Sequence, residues 1–388
     1  MTAPPLPDQP LKVLEIGTQL GMGGITRHIL SLTAWLRAQG HSVTIAGTAD
    51  VWCGPATEPT FLDLPTRYVA GDGGGLPRRL LHLATAVLRL RRWLKTNRPD
   101  LIHTHESAPA LVASLARRGL GIPLAVTYHG AEPSRIAAFG GIARRCDLVI
   151  TPSHHSAADL ATIGGVPRDK LRVIGLGVAP APTDSAEAVA ALRRDLLGDG
   201  DRVILMLARM VHQKGIDVLI ECVAQMKHSH PGLRFAVGGD GPQLAEMQAL
   251  ARQKTVERQL RFLGRIERPH LYLRAADLFL LTSRWEALPF TIVEAFQAGI
   301  PVVATACSGV VELVDDAVGA VAPVGDVPAV CAAVARVLAD ESRRADMAAA
   351  ALARSREDRF DPDWVHGAFE RTYRALVQNR GDAITTAG

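Results

Sequence analysis

In the stretch SRWEALPFTIVEA (283–295), two carboxylates, Glu286 and Glu294, are separated by seven largely apolar residues. Charge in a near-buried segment is costly unless it is paired or meets a ligand. The stretch follows the apolar run DLFLL and contains Pro289, a residue suited to the first helical turn. That puts Leu288 at the N-cap, where leucine is among the poorest caps. The N–H groups of Phe290 and Thr291 are then expected to lack an acceptor. An anionic ligand would supply one and the helix dipole would favour it; water or a neighbouring loop would also serve.

Other strand ends carry similar chemistry. Arg209 closes RVILMLAR, and Lys214-Gly215 opens the next helix. Two cations so placed can clamp a diphosphate and neutralise the charge that a leaving group develops; alone, each reads equally as solvated surface. Gly21-Met-Gly-Gly24 follows the first strand but departs from the Gly-x-Gly-x-x-Gly dinucleotide fingerprint, although Asp50 lies near the end of the second strand. Gly238-Gly-Asp-Gly-Pro242 reads as a tight turn with Pro242 opening a helix. His103 and His105 alternate on one strand face, as a metal pair would. With no third ligand at useful spacing, packing or lining roles are expected for them.

These residues need a scaffold. LKVLEIGT (11–18), SVTIAG (42–47), DLIHTH (100–105), PLAVTYH (123–129) and CDLVIT (146–151) read as strands, and 25–40 as a helix. The rhythm breaks at GLGVAPAP (175–182), a linker, and resumes with RVILMLAR (202–209), LRFAVGGDG (233–241), QLRFLG (259–264), ADLFLLTS (276–283) and IPVVATA (300–306). Strand–helix alternation predicts parallel sheets covered on both faces. The fold class expected is α/β: two doubly wound, Rossmann-like domains facing a cleft, with ligands at the carboxyl ends of the strands.

Composition narrows the function. The 388 residues are 48% hydrophobic and 21% charged, as in a globular chain of about two domains. Five scattered cysteines suggest neither a disulfide frame nor a zinc site, so a reducing, cytoplasmic setting is expected. The start, MTAPPLPDQP, reads as a loose tail and not as a signal peptide. Residues 1–178 hold 19 Lys and Arg against 12 Asp and Glu, while the remainder holds 24 against 27. That surplus points to an anionic partner for the first half. Arg78, Arg79, Arg89, Arg91, Arg92, Lys95 and Arg98 lie in LPRRLLHLATAVLRLRRWLK and just beyond it. This helix is either a peripheral anchor on the inner face of an anionic membrane or a domain helix with its leucines packed on the sheet. Aromatics are only 5% and do not interleave with the arginines, so nucleic acid is not expected as a partner.

Taken in order, Arg209…Lys214-Gly215, Gly-Asp-Gly-Pro (239–242) and FLGRIERPHLYLRAADLFLLTSRWEALPFTIVEAFQAGIPVVAT resemble the retaining, GT-B-fold glycosyltransferases of family 4. Gly23, Gly24, RAQGHSVTI, PDLIHTHES and VTYHG extend the resemblance over nearly the whole chain. Glu286 and Glu294 stand at the spacing of that family's Glu-x7-Glu motif. The resemblance implies an acceptor-binding domain at 1–178, a nucleotide-sugar domain at 179–360, and a last helix at 361–388 crossing back to the first domain. It implies a UDP-, GDP- or ADP-sugar donor, a sugar or lipid-linked acceptor, and a role in polysaccharide or glycolipid assembly, with no cofactor and no obligatory metal. Arg209 and Lys214 would bind the diphosphate, Glu294 the ribose, and Glu286 the sugar near its reacting end. Ala287, Leu288, Pro289 and Phe290 would line sugar and phosphates, Arg265 and Ile266 the base, and Gly23 and Gly24 would complete the donor site. His129, at a strand end, would face the donor sugar with Glu286 as the catalytic pair.

Three positions depart from the family pattern. Ala287 stands where glycine is common, Ile-Gly-Leu-Gly-Val (174–178) replaces an Asn-Gly turn, and Asp361-Pro-Asp363 spells a metal-binding motif of another fold. The last is expected to cap a helix, with Asp361 as N-cap and Pro362 first. The rival readings are an NAD(P)-dependent oxidoreductase, resting on the first glycine loop and Asp50, a sugar-nucleotide epimerase, and a non-catalytic nucleotide-sugar-binding subunit.

Overall fold

Short runs of branched and aliphatic residues, bounded by Gly, Asp and Pro, become strands that pair only in parallel. The computed structural model describes residues 9–385 apart from Met22, Val51 and Gly73. Most of the amino-terminal tail and the centre of the Gly21–Gly24 loop therefore lie outside the described residues. The chain divides into two units: residues 1–129, 134–177 and 362–388, and residues 130–133 and 178–361. The division at Gly177 and Val178 falls inside the Gly/Pro-rich stretch.

The first unit carries β1 (Lys12–Gln19), β2 (Ser42–Thr48), β3 (Leu62–Asp63), β4 (Leu101–His105), β5 (Leu124–Thr127), β6 (Leu148–Thr151) and β7 (Leu171–Val173). Their spatial order is β3-β2-β1-β4-β5-β6-β7. The order reverses between β1 and β4, so the connections leaving these two strands diverge and leave a crevice at their carboxyl ends. Glu15 of β1 is the register partner of His103 of β4. Register partners in a parallel pair share a face, and residues two apart along a strand do too, so Glu15, His103 and His105 face the same layer.

The helix Gly24–Ala38 packs Leu32 and Leu36 into a core with Val13, Leu101, Ala125, Leu148 and Ile150. Gly40, at φ 88, takes the left-handed conformation that lets the chain turn back into β2. The last helix, Pro362–Thr385, adds Val365, Phe369 and Tyr373 to the same core, each at most 1% exposed. Burial of one such side chain contributes roughly 1.5–3 kcal/mol, so this helix is integral to the first unit. It opens at Pro362, as read from the sequence, and Asp363 accepts from Trp35 Nε1 at 2.8 Å. That bond occupies a carboxylate of the Asp-x-Asp motif with a structural partner.

The basic helix spans Leu76–Asn97. Only Ala86, Leu90 and Leu94 are buried, while Leu76, Leu80, Leu81 and Leu88 are 68%, 55%, 65% and 68% exposed. The packed-leucine alternative thus accounts for one side of the helix and leaves a second apolar strip uncovered. No helix among the described residues is long and apolar enough to cross a membrane.

The second unit carries β8 (Arg202–Leu207), β9 (Leu233–Gly238), β10 (Leu260–Gly264), β11 (Leu278–Leu281), β12 (Val302–Thr305) and β13 (Gly319–Ala322), in the order β10-β9-β8-β11-β12-β13. Here the order reverses between β8 and β11. The loops leaving those strands carry Arg209, Lys214, Glu286 and the start of the Phe290–Gln297 helix.

Candidate donor site and a buried histidine cluster

At the β8–β11 crevice, two loops are laced together. Arg284 N–H donates to the Gln213 carbonyl at 2.7 Å, Gln213 Nε2 donates to the Trp285 carbonyl at 2.9 Å, and Thr282 Oγ1 donates to the Gly215 carbonyl at 2.8 Å. Arg284 also grips Asp217 with both terminal nitrogens, at 2.9 and 2.6 Å. Gly215 is left-handed (φ 63), and a Cβ there would stand 2.1 Å from the Thr282 carbonyl oxygen. The close loop approach and the turn into the Ile216–Met226 helix both demand glycine.

This lacing brings together three polar side chains. Lys214 Nζ pairs with Glu286 Oε1, and Ser283 Oγ donates to the same oxygen at 2.7 Å. Glu286 is 8% exposed, a buried carboxylate met by a cation and a hydroxyl. Burial, with the Glu286 charge adding to it, pushes the Cys307 thiol up to about 12, which keeps that sulfur inert. Arg209 is exposed, and its side chain has no partner among the described residues. A desolvated cation and a free cation in one loop form a ready binder of a polyanion.

The helix after β11 starts one residue later than the sequence implied. Pro289 is the N-cap, in extended backbone (φ −77, ψ 119), and the helix is Phe290–Gln297. Leu288 is therefore outside it. Proline has no N–H and its ring favours the N-cap angles, so either placement satisfies its chemistry. No side chain caps this helix, as anticipated. Ala287 and Leu288 are buried beneath the loop, and Glu294 is partly exposed in the second turn. Gly309 donates to the Glu286 carbonyl at 3.3 Å, and a Cβ on Gly309 would sit 1.5 Å from the Ala287 oxygen.

The Gly238–Pro242 turn lies along the loop after β8. A Cβ at Gly239 would stand 1.9 Å from the Ala208 carbonyl oxygen, and Met210 N–H donates to the Asp240 carbonyl at 2.9 Å. Its glycines serve close backbone approach. Pro242 does not open the helix; the helix begins at Leu244 with Gln243 as N-cap. Ile266 covers Gly238 just past β10, with exposed Arg265 beside it.

In the first unit, the β1–β4 crevice holds a hydrogen-bonded cluster. Glu15, fully buried, receives His105 Nε2 at 2.8 Å and His103 Nδ1 at 2.9 Å on Oε2, and the Tyr373 hydroxyl at 3.1 Å on Oε1. Tyr373 also lies 2.7 Å from His103 Nδ1, and His103 Nε2 lies 2.7 Å from Thr127 Oγ1. His105 Nδ1 lies 3.0 Å from His129 Nε2. His28 packs its ring 5.5 and 5.6 Å from those of His105 and His129. Despite its burial, the imidazoles around Glu15 hold its carboxyl far below the usual range. Burial depresses His105 to about 4 and keeps His28 and His129 neutral.

No third ligand for His103 and His105 stands at useful spacing in the sequence, whereas the sheet supplies a carboxylate in Glu15. The three ligand atoms lie within 4.8 Å of one another. A metal could be held there, but every one of those atoms already has a hydrogen-bond partner. Glu15 and Tyr373 were not singled out from the sequence. The one available signal was an acid within the apolar strand LKVLEIGT.

Gly23 is the N-cap of the Gly24–Ala38 helix, with no side-chain cap and open space where a Cβ would be. Asp50, the acid of the oxidoreductase reading, accepts from Gln19 Nε2 at 2.8 Å and crowds Gly21, whose Cβ would stand 2.9 Å from it.

Residues 22–181 match the model of Glycosyltransferase Family 4, and residues 190–354 match that of Glycosyl transferases group 1. The chain is 30% identical to the GDP-mannose-dependent alpha-(1-6)-phosphatidylinositol monomannoside mannosyltransferase of Mycolicibacterium smegmatis, over 69% of this chain and 74% of that one. It is 26% identical to a glycogen synthase of Mycobacterium tuberculosis over 93% and 92% of the two chains. The crystal structure of Anabaena Alr3699/HepE in complex with UDP and glucose superposes with a TM-score of 0.77, at 21% identity, over 93% of this chain and 99% of that one. The two doubly wound sheets are thus those of the GT-B fold. The chain belongs to glycosyltransferase family 4, the glycosyl transferases group 1. It is a retaining, nucleotide-sugar-dependent glycosyltransferase, which removes the oxidoreductase reading.

Proposed function

We propose that the second unit holds a nucleoside-diphosphate sugar at the carboxyl ends of β8 and β11, and that the amino-terminal domain, residues 1–178 with the last helix, binds the acceptor. The observation carrying this reading is the Lys214–Glu286–Ser283 cluster in the same crevice as the unpartnered Arg209. Arg209 and Lys214 bind the diphosphate, Glu294 the ribose, and Glu286 the sugar. The backbone from Ala287 to Phe290 lines sugar and phosphates, with Arg265 and Ile266 beside the base. Gly23 and Gly24 contact the donor, and His129 faces the donor sugar.

The reaction separates charge: a diphosphate departs and an oxocarbenium-like sugar develops. Arg209, Lys214 and the N-terminal amides of the Phe290–Gln297 helix stabilise the first, and Glu286 the second. The departing phosphate accepts the acceptor's proton. The donor is a UDP-, GDP- or ADP-sugar; UDP and glucose in the Anabaena structure and GDP-mannose in the M. smegmatis relative's name support that range. The Ala287 methyl, where glycine is common, narrows the choice of sugar.

The acceptor is lipid-linked, and the product a glycolipid or polysaccharide. The exposed leucines of the Leu76–Asn97 helix, flanked by Arg78, Arg89 and Arg92, form a surface suited to an anionic membrane.

A thermal-shift panel of UDP-, GDP- and ADP-sugars and NAD(P), without metal, tests the donor. A ligand that binds the folded state raises the midpoint. One nucleotide-sugar should raise it, and Lys214→Ala should abolish the rise. A rise with a dinucleotide alone would overturn this reading.

A further inference from the structure

The chain of contacts from Glu15 through His105 to His129 fixes which ring nitrogen each histidine presents. Glu15 Oε2 accepts from His105 Nε2 at 2.8 Å, and His105 Nδ1 meets His129 Nε2 at 3.0 Å. An ionised carboxylate only accepts, so His105 carries its proton on Nε2. In a neutral ring the other nitrogen, Nδ1, must then accept, so the proton between the two rings belongs to His129 Nε2. His129 is neutral too, which leaves its Nδ1 without a proton.

Glu15 and His105 are fully buried, whereas His129 is partly exposed, so the chain runs from the core to the surface of the first unit. The remaining donors secure the same arrangement. Tyr373 donates to Glu15 Oε1, and Thr127 Oγ1 can donate to His103 Nε2, leaving His103 Nδ1 to donate to Glu15.

We propose that Glu15 and His105 are positioning residues that lock His129 as its Nε2–H tautomer, so that His129 offers Nδ1 to the substrate as a hydrogen-bond acceptor. This rests on the reading that His129 faces the donor sugar. The group it recognises is then a hydroxyl or another O–H or N–H donor, and not an oxyanion. Glu15 orients His105, and His105 orients His129, as a buried carboxylate orients an imidazole in hydrolytic triads.

The test reads tautomers directly. Protein labelled with 15N in the imidazole rings is examined by long-range 1H–15N correlation near pH 7.5, with His129 assigned by the loss of its signals in His129→Gln. Wild type should show His129 protonated at Nε2 alone. Glu15→Gln, matched in size, should give a mixture of tautomers, and kcat should fall ~10-fold or more with the donor KM little changed. A proton on His129 Nδ1 in wild type overturns the proposal, and that measurement needs only the His129→Gln variant, for the assignment, and not Glu15→Gln. So does an unchanged tautomer in Glu15→Gln, or a stoichiometric metal in purified protein that His103→Ala removes. If the tautomer shifts and kcat does not, the positioning role is wrong while glycosyl transfer stands. Failure of wild type to turn over any donor strikes the proposed function and leaves the tautomer result readable.

Discussion

Lys214 Nζ donates to Glu286 Oε1 across 72 residues of sequence, joining the loop after β8 to the loop after β11. The lysine is 16% exposed and the carboxylate 8%, so each stands in for the other's missing solvent. In the proposed donor site, a diphosphate beside Lys214 would therefore meet a cation already desolvated and oriented. The same arrangement makes the pair costly to break from one side.

Lys214→Ala leaves Glu286 with Ser283 as its remaining side-chain donor. Stability should fall by roughly 2–4 kcal/mol, read by chemical denaturation. Replacing both residues (Lys214→Met with Glu286→Gln) should recover part of that loss without recovering activity. A double-variant stability equal to the sum of the single losses would show that the two side chains are energetically independent.

Gly309 tests the backbone of the site. Its missing Cβ would collide with the Ala287 carbonyl oxygen at 1.5 Å, so Gly309→Ala must displace the Ala287–Leu288 backbone. The fold should survive with a cost of about 1–3 kcal/mol. Turnover should fall ~100-fold, because a displacement of about 1 Å at a reacting centre has that effect. Wild-type turnover in Gly309→Ala would show that this backbone does not touch the substrate.

Stability should fall on mild acidification. A histidine that is neutral when folded takes up a proton only on unfolding, so the unfolded state binds more protons below about pH 6.5. The loss is absent above that pH, grows as pH falls, and is complete for His105 near its folded value of about 4. His28 and His129, also depressed by burial, act in the same direction. His105 alone contributes on the order of 3 kcal/mol over the window. A melting temperature flat from pH 7 to pH 4.5 would contradict the neutral cluster.

Membrane attachment is tested by flotation with vesicles. Wild type should float with anionic but not with zwitterionic vesicles. The triple change Leu80→Ser, Leu81→Ser and Leu88→Ser should abolish flotation while leaving the melting temperature within a few degrees, because these side chains are exposed. Flotation unaffected by the leucines would place the contact elsewhere.

Much of the scaffold was legible because its signals are local. RVILMLAR, ADLFLLTS and IPVVATA each contain one parallel strand, trimmed at the ends where side chains leave the sheet. β3 and β7, two and three residues at the sheet edges, carry too little pattern to be read. The helix after β11, which has no side-chain cap, was also legible, though its start moved by one residue from Pro289 to Phe290. Glu15 was not, because its partners lie 90 residues away at His105 and 358 away at Tyr373. No spacing rule reaches that far; strand order brings them together. The leucines of the basic helix show the same limit. Their periodicity marks an amphipathic helix, but only packing separates the covered Leu90 and Leu94 from the uncovered Leu80 and Leu88.

The division of labour in the donor site is tested most directly by calorimetric titration. Wild type, Lys214→Ala, Glu294→Ala and Glu286→Gln would each be titrated with the donor and with its nucleoside diphosphate alone. Lys214→Ala should weaken both ligands ~10- to 100-fold. Glu294→Ala should weaken both in equal proportion, through the ribose. Glu286→Gln should remove only the difference between them, which is the sugar's share. Wild-type affinity of Lys214→Ala for the nucleoside diphosphate would contradict the placement of the donor at the β8–β11 crevice.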